Sequence, residues 1–379
     1  MIASTRRIAM PKPKDHGLNT ALDTPLFRFF LWNDMHVDAP QYLPAYPHYP
    51  FANEKAGWAV ECASGKYGFE QPAFVVGAGD IINGKDNIGI SATREEFAYL
   101  KSSVLNKLKM PFLPCVGNHE NCQGEGIPEN NLSYDGFFGS LWHNYVFTYG
   151  GAAFIVVDTS GAHRLPDAVT AARNAFVCRA FDRFGQMPDF VVTHVPLIAM
   201  RQEKVLIDSF GFDSWHVLDT QMLDIVEAHA DSMIAVLCGH IHLTSVRRQN
   251  GVYHIMPAGT CGNPCDFASV ECFSNRIVIR MHKGPEQWFP PDRKGDIHGK
   301  PRYDIDYFDD SHPDHESYIW GNPNERTLTI PLHPGKRIIG GTKHLEIFHE
   351  VGPNKWNEVK CNALQGGGKG VRHGDCQTI

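Results

Sequence analysis

The sequence predicts a layered α/β fold. Eight apolar runs of five to eight residues, rich in Val, Ile and Phe, recur along the chain, and amphipathic segments with helical spacing lie between them. A chain that alternates such elements over 379 residues packs helices against sheets around one large core. Composition agrees, with 42% hydrophobic and 20% charged residues, as in ordinary globular proteins.

Residues 1–25 are polar and proline-containing, an N-terminal lead-in to the main domain, 26–283. The strand candidates are "LFRFFLW" (26–32), "AFVVGAG" (73–79), "PFLPCVG" (111–117), "AAFIVVD" (152–158), "DFVVTHV" (189–195), "SMIAVLC" (232–238), "GVYHIMPA" (251–258) and "NRIVIRM" (275–281). The segment 91–108 opens on Ser91 as a cap and then places apolar residues three and four apart, which predicts a helix; 166–184 and 219–230 read the same way. After residue 284 the chain turns polar, aromatic and proline-rich. Residues 284–379 are expected to form a C-terminal extension packed on the core, with short strands at "RTLTIPLHPG", "KRIIGG" and "HLEIFHEV" and a flexible glycine-rich tail. No internal repeat is present.

The net charge is −7, so there is no nucleic-acid footprint, and an anionic substrate would need local positive charge such as metal ions. No run approaches the roughly 18 apolar residues of a membrane span. Arg6 and Arg7 are not followed by an apolar signal region. Ten cysteines are scattered, with Cys115, Cys178 and Cys238 inside apolar runs. That distribution predicts buried free thiols and a cytoplasmic protein. Nothing in the sequence fixes an oligomeric state.

Chemistry gathers where strands end. The first gives "WNDMHVD" with Asp34 and His36, the second "GAGDIING" with Asp80 and Asn83, and the third "VGNHEN" with Asn118, His119 and Glu120. "VVTHVP" gives His194, and "LCGHIH" gives His240 and His242. Ligands of open α/β sheets bind beyond the carboxyl ends of the strands, so these groups can converge on one rim. Residues two apart in an extended segment share a face, which pairs Asp34 with His36 and His240 with His242. Gly79, Gly117 and Gly239 stand just before ligands, where tight turns are needed. Each pair alone is a weak signal in a chain with 20 histidines; the ordered set is not.

That ordered set resembles the calcineurin-like metallophosphoesterase superfamily over roughly residues 26–283. The resemblance implies a four-layer α-β-β-α sandwich and a centre of two divalent or trivalent metal ions. Carried over by motif, it gives Asp34, His36 and His242 to one ion and Asn118, His194 and His240 to the other, with Asp80 bridging and His119 facing the substrate. Asp80 and His119 are thus the expected catalytic residues. Asn83 stands where many members carry Asp, and residues 284–379 match nothing in the family.

Oxygen and imidazole donors without thiolate suit Mn, Fe or Zn alike. The expected reaction is hydrolysis of a small-molecule phosphate ester by metal-activated water, with a phosphodiester or nucleotide as substrate. A phosphomonoesterase or phosphoprotein phosphatase is the alternative within the class; a catalytically silent scaffold of the same fold is the alternative outside it, and a metal-dependent amide hydrolase a third. His119 is read as general acid or charge stabiliser on the leaving-group side. Asp158 is read as a cap or a partner of a ligand histidine, Asp38 and Glu120 as supports of their loops. Cys261, Cys265 and Cys272 are read as buried or loop thiols rather than a zinc cluster. His143 and Trp142 are read as core or pocket border, and the aromatic run 41–51 as an ordered loop that could wall the substrate.

Overall fold

The computed structural model describes residues 24–42, 51–84, 89–120, 132–161, 167–210, 216–217, 220–262, 265–288, 310–341 and 343–360. The first third of the chain lays down β1 (Phe27–Trp32), α1 (Ala52–Ala63), β2 (Val75–Ala78), α2 (Gly89–Ser103), β3 (Phe112–Cys115) and α3 (Leu132–Phe137). The middle adds β4 (Tyr145–Tyr149), β5 (Ala152–Val156), α4 (Asp167–Phe184), β6 (Asp189–Val192), α5 (Glu203–Phe210), α6 (Thr220–Ala228) and β7 (Met233–Leu237). Then come β8 (Ser245–Gln249), β9 (Val252–Met256), β10 (Asp266–Cys272) and β11 (Arg276–Lys283). The last described elements are α7 (His315–Trp320), α8 (Pro323–Arg326), β12 (Thr327–Pro331), β13 (Glu346–Gly352) and β14 (Lys355–Lys360).

The strands form two sheets, one of order β12-β11-β10-β1-β2-β3 and one of order β14-β13-β4-β5-β6-β7-β9-β8. β1, β2 and β3 run parallel in the first; β5, β6, β7 and β9 run parallel in the second. The carboxyl ends of β1, β2, β3, β6 and β7 carry the motifs. The apolar runs look continuous because each strand feeds two cores. In β1, Phe27, Phe29 and Leu31 enter the core between the sheets, while Phe30 and Trp32 face α1 and α2 on the outside. In β5, Phe154 and Val156 point inward and Ala153 and Ile155 meet α4 and α6. The result is the four-layer α-β-β-α arrangement. Phenylalanines fill its centre: Phe147 stacks on Phe154 at 4.4 Å, Phe154 on Phe190 at 4.8 Å, and Phe29 on Phe74 at 5.2 Å. Each such ring contributes about 1.5–3 kcal/mol by burial.

All eight strand candidates coincide with strands, and the three helix candidates with α2, α4 and α6. The sequence reading gives no range for β4, β8, β10, β14, α1, α3, α5, α7 or α8, and "KRIIGG" is not a strand. β10, "DFASVEC", hides its strand character behind Asp266, Ser269 and Glu271, yet it sits between β1 and β11 in the first sheet. Residues after 284 extend both sheets. β12 pairs with β11, and the β13–β14 hairpin pairs with β4.

The segment 310–326 packs under the loop that follows β7. Thr244 N–H donates to the Ile319 carbonyl at 2.8 Å. The fully buried Arg201 donates to the carbonyls of Tyr318 and Thr244 and lies 3.8 Å from Glu325. Glu325 in turn accepts from Val246 N–H and Asn322 N–H and pairs with His312. Among the described residues, no helix is long and apolar enough to cross a membrane.

Candidate metal centre

The ends of β1, β2, β3, β6 and β7 bring the motif residues to one buried rim between the sheets. β1 leads through Asn33 into Asp34 and His36, whose backbone N–H groups donate to the carbonyls of Gly79 and Asp80. The first and second motif loops are therefore zipped together by main chain. Asp34 accepts the backbone N–H of His240 at 3.0 Å, and Asp80 Oδ1 accepts that of His119 at 2.9 Å. The carboxylates thus tie the loops before any ion is considered. Two glycines make the approach possible. A Cβ on Gly117 would stand 2.2 Å from Asp80 Oδ1, and one on Gly239 would stand 2.5 Å from Asp34 Oδ2.

The backbone is strained at the same places. Asp34, His36, Asp80, His240 and His242 all have positive φ, between 45° and 82°. Such conformations cost about 1–3 kcal/mol each and persist where the surroundings enforce them.

The donor atoms converge. Asp34 Oδ1 lies 3.1 Å from His242 Nε2, which lies 3.2 Å from His36 Nε2. Asp80 Oδ2 is 3.6 Å from His36 Nε2 and 3.1 Å from His194 Nε2. Asn118 Oδ1 is 3.0 Å from His194 Nε2 and 2.9 Å from His240 Nδ1. Three groupings of metal-ligating atoms result: Asp34, His36, Asp80 and His242; Asp80, His194 and His240; and His36, His242 and Cys261, whose sulfur borders the first of these within 4.8 Å. Donors that share an ion about 2.1 Å away lie about 3.0–3.4 Å from one another, so these spacings fit the walls of two coordination shells. Ring nitrogens facing each other across such a gap need a cation or a proton between them.

The electrostatics say the same. Burial would raise the Asp80 carboxyl, but the imidazoles of His194, His119 and His36 overcome it and hold it well below the usual range. Burial would lower His194, but the Asp80 charge raises it to about 10. Burial and the neighbouring His194 push His240 down to about 3, and burial together with His119 lowers His36. Asp80 is thereby held as a carboxylate and His36 and His240 as neutral imidazoles, forms able to ligate a cation.

His119 sits at the mouth. Its side chain is 26% exposed, against 0% for His36 and His194 and 3% for His242. Its ring stands edge-on to His36 at 4.4 Å, with Nε2 3.9 Å from Asp80 Oδ2 and Nδ1 against the Asn83 carbonyl. The Asn83 side chain explains the departure from Asp at that position: its Nδ2 donates to Asp38 Oδ2 at 3.0 Å. An aspartate there would set two buried carboxylates together. Glu120 is buried beneath the site and accepts from the backbone N–H groups of Asp80, Ile81, Ile82 and Gly117.

Asp158 does not join the donor groupings. It caps Ser160 N–H at 2.9 Å and pairs with His143, which also meets Asp135. Burial opposes the charge on His143, but hydrogen bonds to the two carboxylates raise its pKa from 6.5 to about 9. Because the folded value lies above the unfolded one, this clasp contributes in full below pH 6.5 and is lost as the pH rises through about 9. Urea unfolding of the wild-type protein should therefore weaken between those limits, and His143→Gln should flatten that slope. Equal slopes in the two proteins would show that the clasp is uncharged. Trp142 packs on Tyr145 and His349.

Among the described residues, Cys261, Cys265 and Cys272 are buried and free and form no cluster of three thiols. Cys115 and Cys238 are buried; Cys178 is half-buried. Of the aromatic run 41–51, positions 43–50 lie outside the described residues. Sequence reasoning missed Lys55. This fully buried lysine on α1 donates to the carbonyls of Cys261 and Gly262 at 2.9 and 3.0 Å. Its only sequence signal is a lysine among alanines on the apolar face of "ANEKAGWA".

Two sheets, flanking helices and a His/Asp/Asn rim at the parallel strand ends define a metallophosphoesterase type of fold and site. The calcineurin-like phosphoesterase family profile matches residues 27–243, more than half of the chain, and the protein belongs to that family. Among solved structures, a dimetal phosphatase from Danio rerio is similar at a TM-score of 0.52 and 16% identity, covering 69% of this chain and 96% of that one. GAP50, described as the anchor in the inner membrane complex of Plasmodium, gives a TM-score of 0.47 and 14% identity over 79% and 96% of the two chains. The NAD nucleotidase of Haemophilus influenzae gives 0.37 and 12% over 68% and 49%. Likeness at these identities speaks to the fold. No curated protein sequence matches the chain.

Proposed function

We propose that this protein is a dinuclear metal-dependent phosphoesterase acting on a small phosphodiester or a nucleotide. One observation carries the reading: Asp80 belongs both to the Asp34, His36 and His242 grouping and to the His194 and His240 grouping, so a single carboxylate can join two ions. Asp34, His36 and His242 would hold one ion, and Asn118, His194 and His240 the other, with Asp80 between. Bound there, two such ions supply Lewis acidity, a lowered water pKa and a clamp for an anionic phosphoryl group. The chain's own groups do the rest. The loops joined through Asp34, Asp80 and Glu120 keep the donors fixed. His119 sets Nδ1 against the Asn83 carbonyl, which turns Nε2 toward the site, where it can pass a proton to the leaving-group oxygen.

The same reading takes 26–283 as the catalytic domain and 284–379 as its extension, not a second catalytic unit. It places the protein in the cytoplasm, in keeping with seven free cysteines among the described residues. The test is metal analysis of the purified protein, then a panel of phosphomonoesters and phosphodiesters with Mn²⁺, Fe²⁺ or Zn²⁺. Two ions per chain and faster diester cleavage are expected. Faster monoester cleavage would move the assignment to a phosphatase, and one ion or none after reconstitution would sink it.

A further inference from the structure

The loop after β9 reaches the centre from a side that none of the motifs supplies. Gly259 turns it with φ +91°, and Thr260 N–H and Cys261 N–H donate to the carbonyls of Asn33 and Asp34 at 3.1 and 3.0 Å. The same loop carries the Cys261 sulfur to 3.8 Å from His242 Nδ1. Lys55 grips it from behind through the two carbonyls described above. It therefore straps together Asp34 and His242, which come from opposite sheets but line the same grouping.

The orientation of His242 decides what Cys261 can do. Nε2 points inward, 3.1 Å from Asp34 Oδ1 and 3.2 Å from His36 Nε2, so Nδ1 points out of the grouping, toward the sulfur. A histidine that ligates through one nitrogen normally gives the other N–H to an acceptor that fixes its tautomer and ring angle. His194 shows the usual form: Nε2 faces Asp80, and Nδ1 meets the Ala78 carbonyl at 2.8 Å. For His242 the neighbour is sulfur, a weak acceptor.

We infer that Cys261 is a positioning residue of the metal centre, its sulfur accepting the His242 Nδ1–H so that the 259–262 strap holds one ion's ligands in register. This rests on the proposed two-ion reading. It makes the two ions unequal, because one is served by a carbonyl-backed imidazole and the other by a sulfur-backed one.

Calorimetric titration of metal-depleted protein with Zn²⁺ tests it, with Cys261→Ala and Cys261→Ser as variants. Serine keeps a polar group, but its shorter bond withdraws it from Nδ1. Both variants should weaken one of two binding steps by about 10–100-fold and leave the other within about twofold. Thermal unfolding of the metal-depleted proteins should be unchanged, which a role in core packing would not allow. Equal weakening of both steps, no weakening, or failure of both variants to fold would overturn the inference. A wild-type protein that binds fewer than two ions would instead overturn the reading beneath it.

Discussion

Replacing His119 with alanine should lower turnover of an alkyl phosphodiester by about 10²–10⁴-fold, the usual worth of a positioned general acid, while both ions stay bound. The geometry makes the separation possible. His119 is the exposed imidazole at the mouth, its ring is set by the Asn83 carbonyl, and it belongs to none of the donor groupings. Leaving-group chemistry sharpens the test. A p-nitrophenolate needs little protonation, so the loss should shrink on bis(p-nitrophenyl) phosphate and grow as the leaving alcohol becomes more basic. His119→Asn keeps a donor for the Asn83 carbonyl but has no ring proton to transfer, so it should be as slow as alanine on the alkyl ester. Unchanged turnover in His119→Ala, or loss of metal along with activity, would remove His119 from the proposed mechanism.

Glu120→Ala should cost about 3–5 kcal/mol in unfolding free energy, the scale seen when one partner of a buried charged network is removed. The carboxylate gathers four main-chain N–H groups from two motif loops, Asp80, Ile81 and Ile82 on one side and Gly117 on the other. Without it those donors are buried and unmet. Burial and the charge of Asp80 push the Glu120 carboxyl up to about 7, which returns part of the cost and keeps the figure well below the sum of four hydrogen bonds. Glu120→Gln keeps the shape but turns an amide nitrogen toward N–H donors, so it should fall between wild type and alanine. Urea unfolding measures both, and metal content should fall with stability because Asp80 loses its anchor. A loss under about 1 kcal/mol in Glu120→Ala would mean that the loops hold themselves.

The sequence showed the scaffold where apolar runs were long and unbroken, because parallel strands buried on both faces have no polar phase to disguise them. It failed at β8 and β10, where "SVRRQ" and "DFASVEC" mix charged residues into strands. The donor residues were legible because each stands directly after a strand, and strand ends are where topology gathers chemistry. Their consequences for the backbone were not. Positive φ at Asp34, His36, Asp80, His240 and His242 is a tertiary demand; Asp and His tolerate it better than most residues, but their presence alone does not announce it. Lys55 escaped for a similar reason: lysines face water by default, and only the carbonyls of a loop some 200 residues away explain its burial. The role of Asn83 became visible only beside Asp38.

The position of β1 in its sheet has a consequence for synthesis. β1 pairs on one side with β10, Phe27 opposite Cys272 and Leu31 opposite Ala268. At about 5–20 residues per second, a ribosome needs on the order of 12–50 seconds between making one strand and the other. Through that interval "FRFFLW" has β2 on one flank at best, while the other is an open, aromatic edge of the kind that recruits foreign strands. Nascent chains stopped before residue 266 should therefore be clients of holding chaperones, and those extended past residue 272 should release them.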